Sequence, residues 1–360
     1  MYRFAFVMDQ QVGLRTQAMN FERVVAADPT IEAVWAPVQY TADAGLLTRL
    51  PGLPESVRGT LRGVHEIRDR LGDPTRFDSV LWATWAAKSV LKLVEGAPAF
   101  LIMDMTPCQM ESMGKLYGYS RNRARFLGGM KRRSTDHLYA EVRHFFPWNK
   151  WVAESLSRDY GVPPAKITPT SPGVDTDLYR PDPSVKPSDG VVRLLFVGGD
   201  FRRKGGDLLM RWSEETRVKV PWEIHIVTRD EIEPSAKVTV HRNLGNNSPE
   251  LVRLYQECDL FVLPTRADCY SLVGLEAMAS GLPVILSNLG GIPDLVDDDR
   301  NGFLIAPDDD KTLFDRLDRL VSDPDLRQSM GKAAREKAER QFNCRVTNGS
   351  VIEAMKAAVR

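Results

Sequence analysis

Residues 260–285, LFVLPTRADCYSLVGLEAMASGLPVI, constrain the fold more than any other stretch. Leu260–Leu263 is a short apolar run stopped by Pro264, the pattern of a buried parallel strand. A polar loop carrying Arg266, Asp268 and Tyr270 follows. Ser271 stands where a helix N-cap is wanted, so a helix is predicted over Leu272–Ser280. Gly281 ends it, and Pro283 leads into a second strand, Val284–Ser287. Strand, loop, helix, turn and strand make the repeating unit of a parallel α/β sheet. Asp268 then lies on a loop at the carboxyl end of a strand, and Glu276 lies in the first turns of the next helix. Ligands of open α/β sheets bind at that edge.

The same unit recurs. Phe4–Met8, Ala33–Ala36, Val80–Ala83 and Ala99–Met103 read as strands in the first half, each followed by a helix-length segment. Leu194–Val197, Glu223–Val227, Leu260–Leu263, Pro283–Leu286 and Phe303–Ile305 do so in the second. The stretch 311–341 reads as helical and charged, with Glu336 and Arg340 at a supportive i, i+4 spacing. Between the halves, RPDPSVKPSDG (180–190) has three prolines and no apolar periodicity, and 181–190 reads as a linker. The expected division is a domain over 1–180, a second over 191–342, and a last helix within 343–360 packing back on the first.

Charge and cysteine usage narrow the class. The chain has 48 basic and 48 acidic residues, so no global field points to nucleic acid. Its four cysteines lie far apart without metal-ligand spacing, which argues for reduced thiols and against zinc. MYRFAFVMDQ reads as a strand rather than a signal peptide, and no run approaches the ~18 apolar residues of a membrane span. A cytoplasmic protein is expected. One local exception is Arg121–Arg133, RNRARFLGGMKRR, with six basic residues and no acid. Gly128-Gly129 is expected to interrupt any helix there. Such a stretch can rest on the anionic inner face of a membrane, hold a phosphorylated acceptor, or remain a solvated loop.

The 260–285 segment resembles the donor-site signature of the family 4 retaining glycosyltransferases, an acidic residue, seven others and a Glu, then Ala-Met-Ala-x-Gly-x-Pro-Val. Asp268 stands where the family more often has Glu. Glu276, Ala277, Met278, Ala279, Gly281, Pro283 and Val284 complete the match. The likeness extends over most of 191–345, is weaker over 145–182 around Gly173-Val174-Asp175, and is thin over 1–140. It implies a GT-B fold, two Rossmann-like doubly wound α/β domains facing across a cleft. The donor nucleotide sugar would bind the second domain and the acceptor the first. The implied reaction moves a hexose from a UDP- or GDP-hexose to a hydroxyl of a glycan, lipid-linked or small acceptor, with retention, as in polysaccharide biosynthesis. No cofactor and no metal are expected, because cationic side chains do what Mg²⁺ does elsewhere.

Leu194–Val197 runs into Gly198-Gly199-Asp200-Phe201-Arg202-Arg203-Lys204-Gly205-Gly206, where glycines admit a ligand to the backbone and cations can meet a diphosphate. Lys204 matches the family's diphosphate-binding lysine. The family often has an Arg directly after the strand glycine; here that position is Gly199, so Arg203, or else Arg202, is expected to substitute. Ser271, Leu272 and Val273 offer N–H groups and a positive helix end. By resemblance, Glu276 accepts from the ribose hydroxyls and Asp268 holds hydroxyls of the donor sugar. Base contacts are expected near Arg242–Gly245. In the first domain the family has a glycine-rich loop where this chain has Asp9–Gly13, with Gly13 its one glycine. Family members commonly carry a His after a strand of this domain. None of the five histidines follows Ala99–Met103, which leaves Asp104 as candidate proton relay. Three other readings remain open: a GT-B protein that binds a nucleotide sugar without turnover, a nucleotide-sugar epimerase active without acceptor, and a two-lobed solute-binding protein. A glycosidase with a carboxylate pair is disfavoured by the phosphate logic of the Lys204 loop.

Overall fold

Short apolar strands pair in parallel to build two separate sheets, one in each of two units. The computed structural model describes residues 1–42, 55–72, 76–84, 97–114, 117 and 128–359. The first unit comprises Met1–Pro172 with Thr347–Arg360, the second Gly173–Val346. Residues 121–127 of the basic stretch lie outside the described residues.

The first unit runs β1 (Tyr2–Asp9), α1 (Val12–Ala26), β2 (Ile31–Val38), α2 (Glu55–Leu71), β3 (Ser79–Ala83), β4 (Ala99–Met103), α3 (Pro107–Met113), α4 (Gly128–Glu141), β5 (His144–Pro147) and α5 (Lys150–Tyr160). Its sheet order is β2-β1-β3-β4-β5. Both faces of β1 are covered, which is why Phe4 to Met8 is an unbroken apolar run. Ala5 and Val7 join a core with Trp82, Leu101 and Phe145. Phe6 stacks on Trp35 with ring centroids 4.5 Å apart. Pro37 and Pro147 each sit in a strand, but in β2 and β5, the two edges, where a missing N–H is tolerated.

The second unit runs β6 (Val192–Val197), α6 (Gly206–Glu215), β7 (Trp222–Val227), β8 (Val238–His241), α7 (Pro249–Glu257), β9 (Leu260–Leu263), α8 (Leu272–Ala279), β10 (Val284–Ser287), β11 (Gly302–Ile305), α9 (Asp310–Ser322) and α10 (Pro324–Gln341). Its order, β11-β10-β9-β6-β7-β8, reverses between β6 and β9. That is the doubly wound dinucleotide-binding order, and its reversal opens a crevice at the carboxyl ends of those two strands. A last helix, α11 (Cys344–Ala357), begins in the second unit, and its residues from Thr347 count with the first. There Lys356 donates to Asp28 at 2.6 Å.

Several sequence expectations are corrected. Strands β5 and β8 were not expected. The helical character expected of 311–341 holds, divided into two helices because Pro324 cannot continue the first. Asp323 ends α9 and its carboxylate caps α10 by accepting from Leu326 N at 2.9 Å. The i, i+4 ion pair on α10 is Arg335–Glu339. Gly128 and Gly129 are helical, in the first described turn of α4. The division falls at Pro172/Gly173, ahead of the proline-rich 181–190. Residues 173–182 are stitched into the second unit: Val174 N donates to Phe342 O at 2.7 Å, and Cys344 N donates to Val174 O at 2.9 Å. Lys186 continues the attachment, 3.0 Å from Asp259.

The Arg335 guanidinium gathers this attachment. It donates to the carbonyls of Thr176 at 3.1 Å, Tyr179 at 2.8 Å and Ala279 at 2.5 Å, the last at the carboxyl end of α8. Removing it leaves three half-buried acceptors without their donor, each worth about 1 kcal/mol or more. Arg335→Ala is therefore expected to destabilise the protein by about 2–4 kcal/mol in urea unfolding. Arg335→Lys is expected to recover less than half, since an ammonium lacks the planar fork.

Candidate functional site

The β6–α6 loop and the β9–α8 loop leave adjacent strands at the reversal of the second sheet. One close approach locks them together. Gly205 has φ +80, and a Cβ there would lie 2.1 Å from the carbonyl oxygen of Pro264. Only glycine accepts both the left-handed backbone and the contact. Arg266 N donates to Arg203 O at 2.9 Å, and the Arg203 guanidinium donates back to Ala267 O at 2.7 Å. Arg266 spans to Asp207 at 2.6 Å and to Asp308 at 2.6 Å. On the other side Gly291 N donates to Cys269 O at 2.9 Å. The β9–α8 loop is held along most of its length.

This frame brings Lys204 and Asp268 into a direct ion pair, with both side chains largely buried. The stem of Lys204 lies against Gly198, where a Cβ would come within 3.0 Å of it. An ammonium has three donors, so Lys204 can keep Asp268 and still meet an anion. Ser271 caps α8 by accepting from Gly274 N at 3.1 Å. The N–H groups of Leu272 and Val273, in the first turn, have no acceptor within the helix.

Glu276 is buried, 6% exposed, in the second turn of α8. Tyr255 of α7 donates to its Oε2 at 2.9 Å. Tyr179 meets the Tyr255 ring edge-on at 5.5 Å, and its hydroxyl donates to Asn247 Oδ1 at 2.9 Å. Burial pushes the Glu276 carboxyl up to about 7, against the downward pull of the Tyr255 hydrogen bond. Neither tyrosine was anticipated. Tyr255 carries no motif, and only the apolar face of α7, with Leu251 and Leu254 also buried, marks it as inward-facing.

Other candidates fall differently. Arg203 is committed to Asp200 at 3.0 Å and to Ala267 O, so it braces the loop. Arg202 is exposed, and its carbonyl accepts from Arg266. Arg242 lies 3.9 Å from Glu231. Gly13 and Asp104 belong to the first unit. Gly13 is not in a glycine-rich loop: α1 begins at Val12, after Asp9 turns the chain by accepting from Gln11 N at 2.9 Å. Asp104 follows β4 and borders an apolar cavity with Leu101, Met103, Leu138 and Tyr139. The turn into α3 is organised by Thr106 and Gln109, which form a reciprocal capping box. Among the described residues, no cluster of three His, Cys, Asp or Glu could hold a metal ion, and no helix is long and apolar enough to cross a membrane.

Comparison with known proteins meets this geometry at the same residues. The family model described as Glycosyl transferases group 1 matches 189–337, a span that contains Lys204, Asp268 and Glu276. Residues 189–337 are a glycosyl transferases group 1 domain. The chain is 32% identical over 214 residues to a D-inositol 3-phosphate glycosyltransferase of Corynebacterium aurimucosum, covering 52% of this chain and 50% of that protein. It is 28% identical over 233 residues to its namesake in Saccharomonospora viridis, covering 58% and 54%. The chain thus spans about half the length of these curated relatives. Sucrose-phosphate synthase from Thermosynechococcus elongatus superposes with a TM-score of 0.75 at 18% identity, covering 99% of this chain and 100% of the other. Anabaena HepE in complex with UDP-glucose superposes with a TM-score of 0.71 at 15% identity, also covering 99% and 100%. Likeness at that identity shows the fold, the GT-B architecture with two parallel-sheet α/β domains.

Two expectations test the frame of the group 1 domain. Gly205→Ala must relieve both a left-handed backbone and a backbone clash, and is expected to cost more than about 2 kcal/mol in urea unfolding. Glu276 gives a pH signature. Its carboxyl rises from 4.5 to about 7 on folding, so the fold keeps a proton that the unfolded chain has lost. Stability falls as pH rises through that window and stays at the lower level above it, by roughly 3.5 kcal/mol at most at ~1.4 kcal/mol per pKa unit. Glu276→Gln, which still accepts from Tyr255, is expected to flatten this loss between pH 5 and 8 in thermal melts.

Proposed function

We propose that the chain is a family 4 retaining glycosyltransferase that moves a hexose from a nucleoside diphosphate sugar to an acceptor hydroxyl without a metal. The observation that carries this reading is the Lys204–Asp268 pair at the reversal of the second sheet, with the buried Glu276 carboxyl eight residues further on. A cation for the leaving diphosphate and a carboxylate for sugar hydroxyls are held together before any ligand arrives. Preorganised charge of that kind lowers a barrier without reorganisation at the moment of reaction.

In this reading the anomeric carbon–oxygen bond to the diphosphate breaks as Lys204 and the first N–H groups of α8 take up the developing charge. Asp268 fixes the sugar through its hydroxyls, and Glu276 accepts from the ribose diol. The acceptor hydroxyl adds to the anomeric carbon on the face the diphosphate leaves, and Asp104 of the first unit is assigned as the relay for its proton. Relatives that carry the name D-inositol 3-phosphate glycosyltransferase make a phosphorylated polyol the first acceptor to try.

Thermal unfolding with UDP, GDP and ADP tests the donor site. One nucleotide at about 100 times its dissociation constant is expected to add ~2.7 kcal/mol of stability, and Lys204→Ala to abolish the rise. No rise with any of the three would overturn the assignment of residues 198–206. With the matching nucleotide sugar, transfer is expected to persist in EDTA. Lys204→Ala is expected to lower turnover by ~10²–10³. Asp104→Asn with undiminished turnover would remove the proton-relay role.

A further inference from the structure

Gly199 is the position at which the Lys204 loop lacks an arginine, and its space is taken by another one. A Cβ built on Gly199 would lie 2.8 Å from Nη2 and 2.9 Å from Nε of Arg229, and its three nearest atoms all belong to that guanidinium. Arg229 comes from the turn after β7, the strand on the other side of β6 from β9. That turn is tied to the Lys204 loop: Asp230 Oδ2 accepts from Phe201 N at 2.7 Å, and Gly198 N donates to Val227 O at 2.9 Å. Arg229 is exposed. Among the described residues its guanidinium meets neither a carboxylate nor a carbonyl. Arg203, by contrast, is braced against Asp200 and Ala267 O.

We propose that Arg229 is the second diphosphate-binding cation of this site, reaching over Gly199 from β7 to work with Lys204. The inference rests on the donor-site reading above. Consecutive glycines at the end of β6 make room for both side chains: the Lys204 stem lies against Gly198 and the Arg229 guanidinium lies over Gly199. A planar fork can bridge oxygens of both phosphates, which an ammonium cannot. The φ of Gly199 is not positive, so backbone conformation does not call for glycine there; the open space above it is what the Arg229 guanidinium occupies.

Calorimetric titration of the purified chain with UDP and GDP, alongside the matching monophosphates, tests this. Arg229→Ala is expected to weaken the preferred diphosphate about 10- to 100-fold, the range for a charge-assisted hydrogen bond, and to leave the monophosphate within about threefold. Gly199→Arg alone is expected to disrupt binding, because its side chain meets Arg229. In the Arg229→Ala background the same Gly199→Arg change is expected to restore diphosphate affinity at least tenfold. If Arg229→Ala binds the diphosphate as wild type does while Lys204→Ala does not, the proposal falls and the donor site stands. If wild type binds no nucleoside diphosphate, both fall. If Arg229→Ala weakens mono- and diphosphate alike and Gly199→Arg does not rescue it, Arg229 only supports the loop and the proposal falls.

Discussion

The contact of Gly205 with the Pro264 carbonyl is the constraint on which the site depends. It sets the distance between two loops that arise from strands 66 positions apart in sequence (194 to 260) but paired side by side. With that distance fixed, Lys204 falls on Asp268, Arg203 on Ala267 O, and Arg266 on Asp207. These polar contacts are individually modest. Their common direction comes from one backbone approach that no side chain permits. A site built in this way is rigid before it is charged, which suits stabilisation of a developing anion.

The carboxylates of the site are held in contrasting surroundings. Asp268 lies against an ammonium, whereas Glu276 lies against a neutral phenol and aromatic rings. Burial without a countercharge raises the Glu276 carboxyl to about 7, so below that pH these residues carry less negative charge than their formula suggests. A ligand that donates hydrogen bonds to this carboxylate favours its ionised form and expels the proton.

Much of this was legible in the sequence, for identifiable reasons. Strands buried on both faces, such as Phe4–Met8 and Leu260–Leu263, read as unbroken apolar runs, and the N-cap at Ser271 and the stop at Gly281 are local signals. The two unexpected strands are both edges. β5 ends in proline and begins with a histidine, and β8 alternates Val with Thr and His, so neither presents the run of a central strand. Pro324 marks the division between α9 and α10 in the sequence itself. Contacts made across the fold were out of reach. Nothing near Tyr255 announces Glu276, and nothing near Arg229 announces Gly199, since partners separated by sequence are joined only by strand order. The proline-rich 181–190 misled for a related reason. Its composition suggests a free linker, while Arg335, far along the chain, ties the residues before it into the second unit.

The route of the chain has a consequence for its synthesis. The first unit is discontinuous, with residues 347–360 completing it after the whole of 173–346 has been made. At about 5–20 residues per second, that interval is roughly ten to thirty-five seconds. During it, the sheet of the first unit exists without the helix that brings Lys356 to Asp28, and the surface this helix covers waits exposed. The second unit, contiguous in sequence, meets no such delay. Vectorial folding therefore inverts the order of the chain: the unit made second is the one able to finish first.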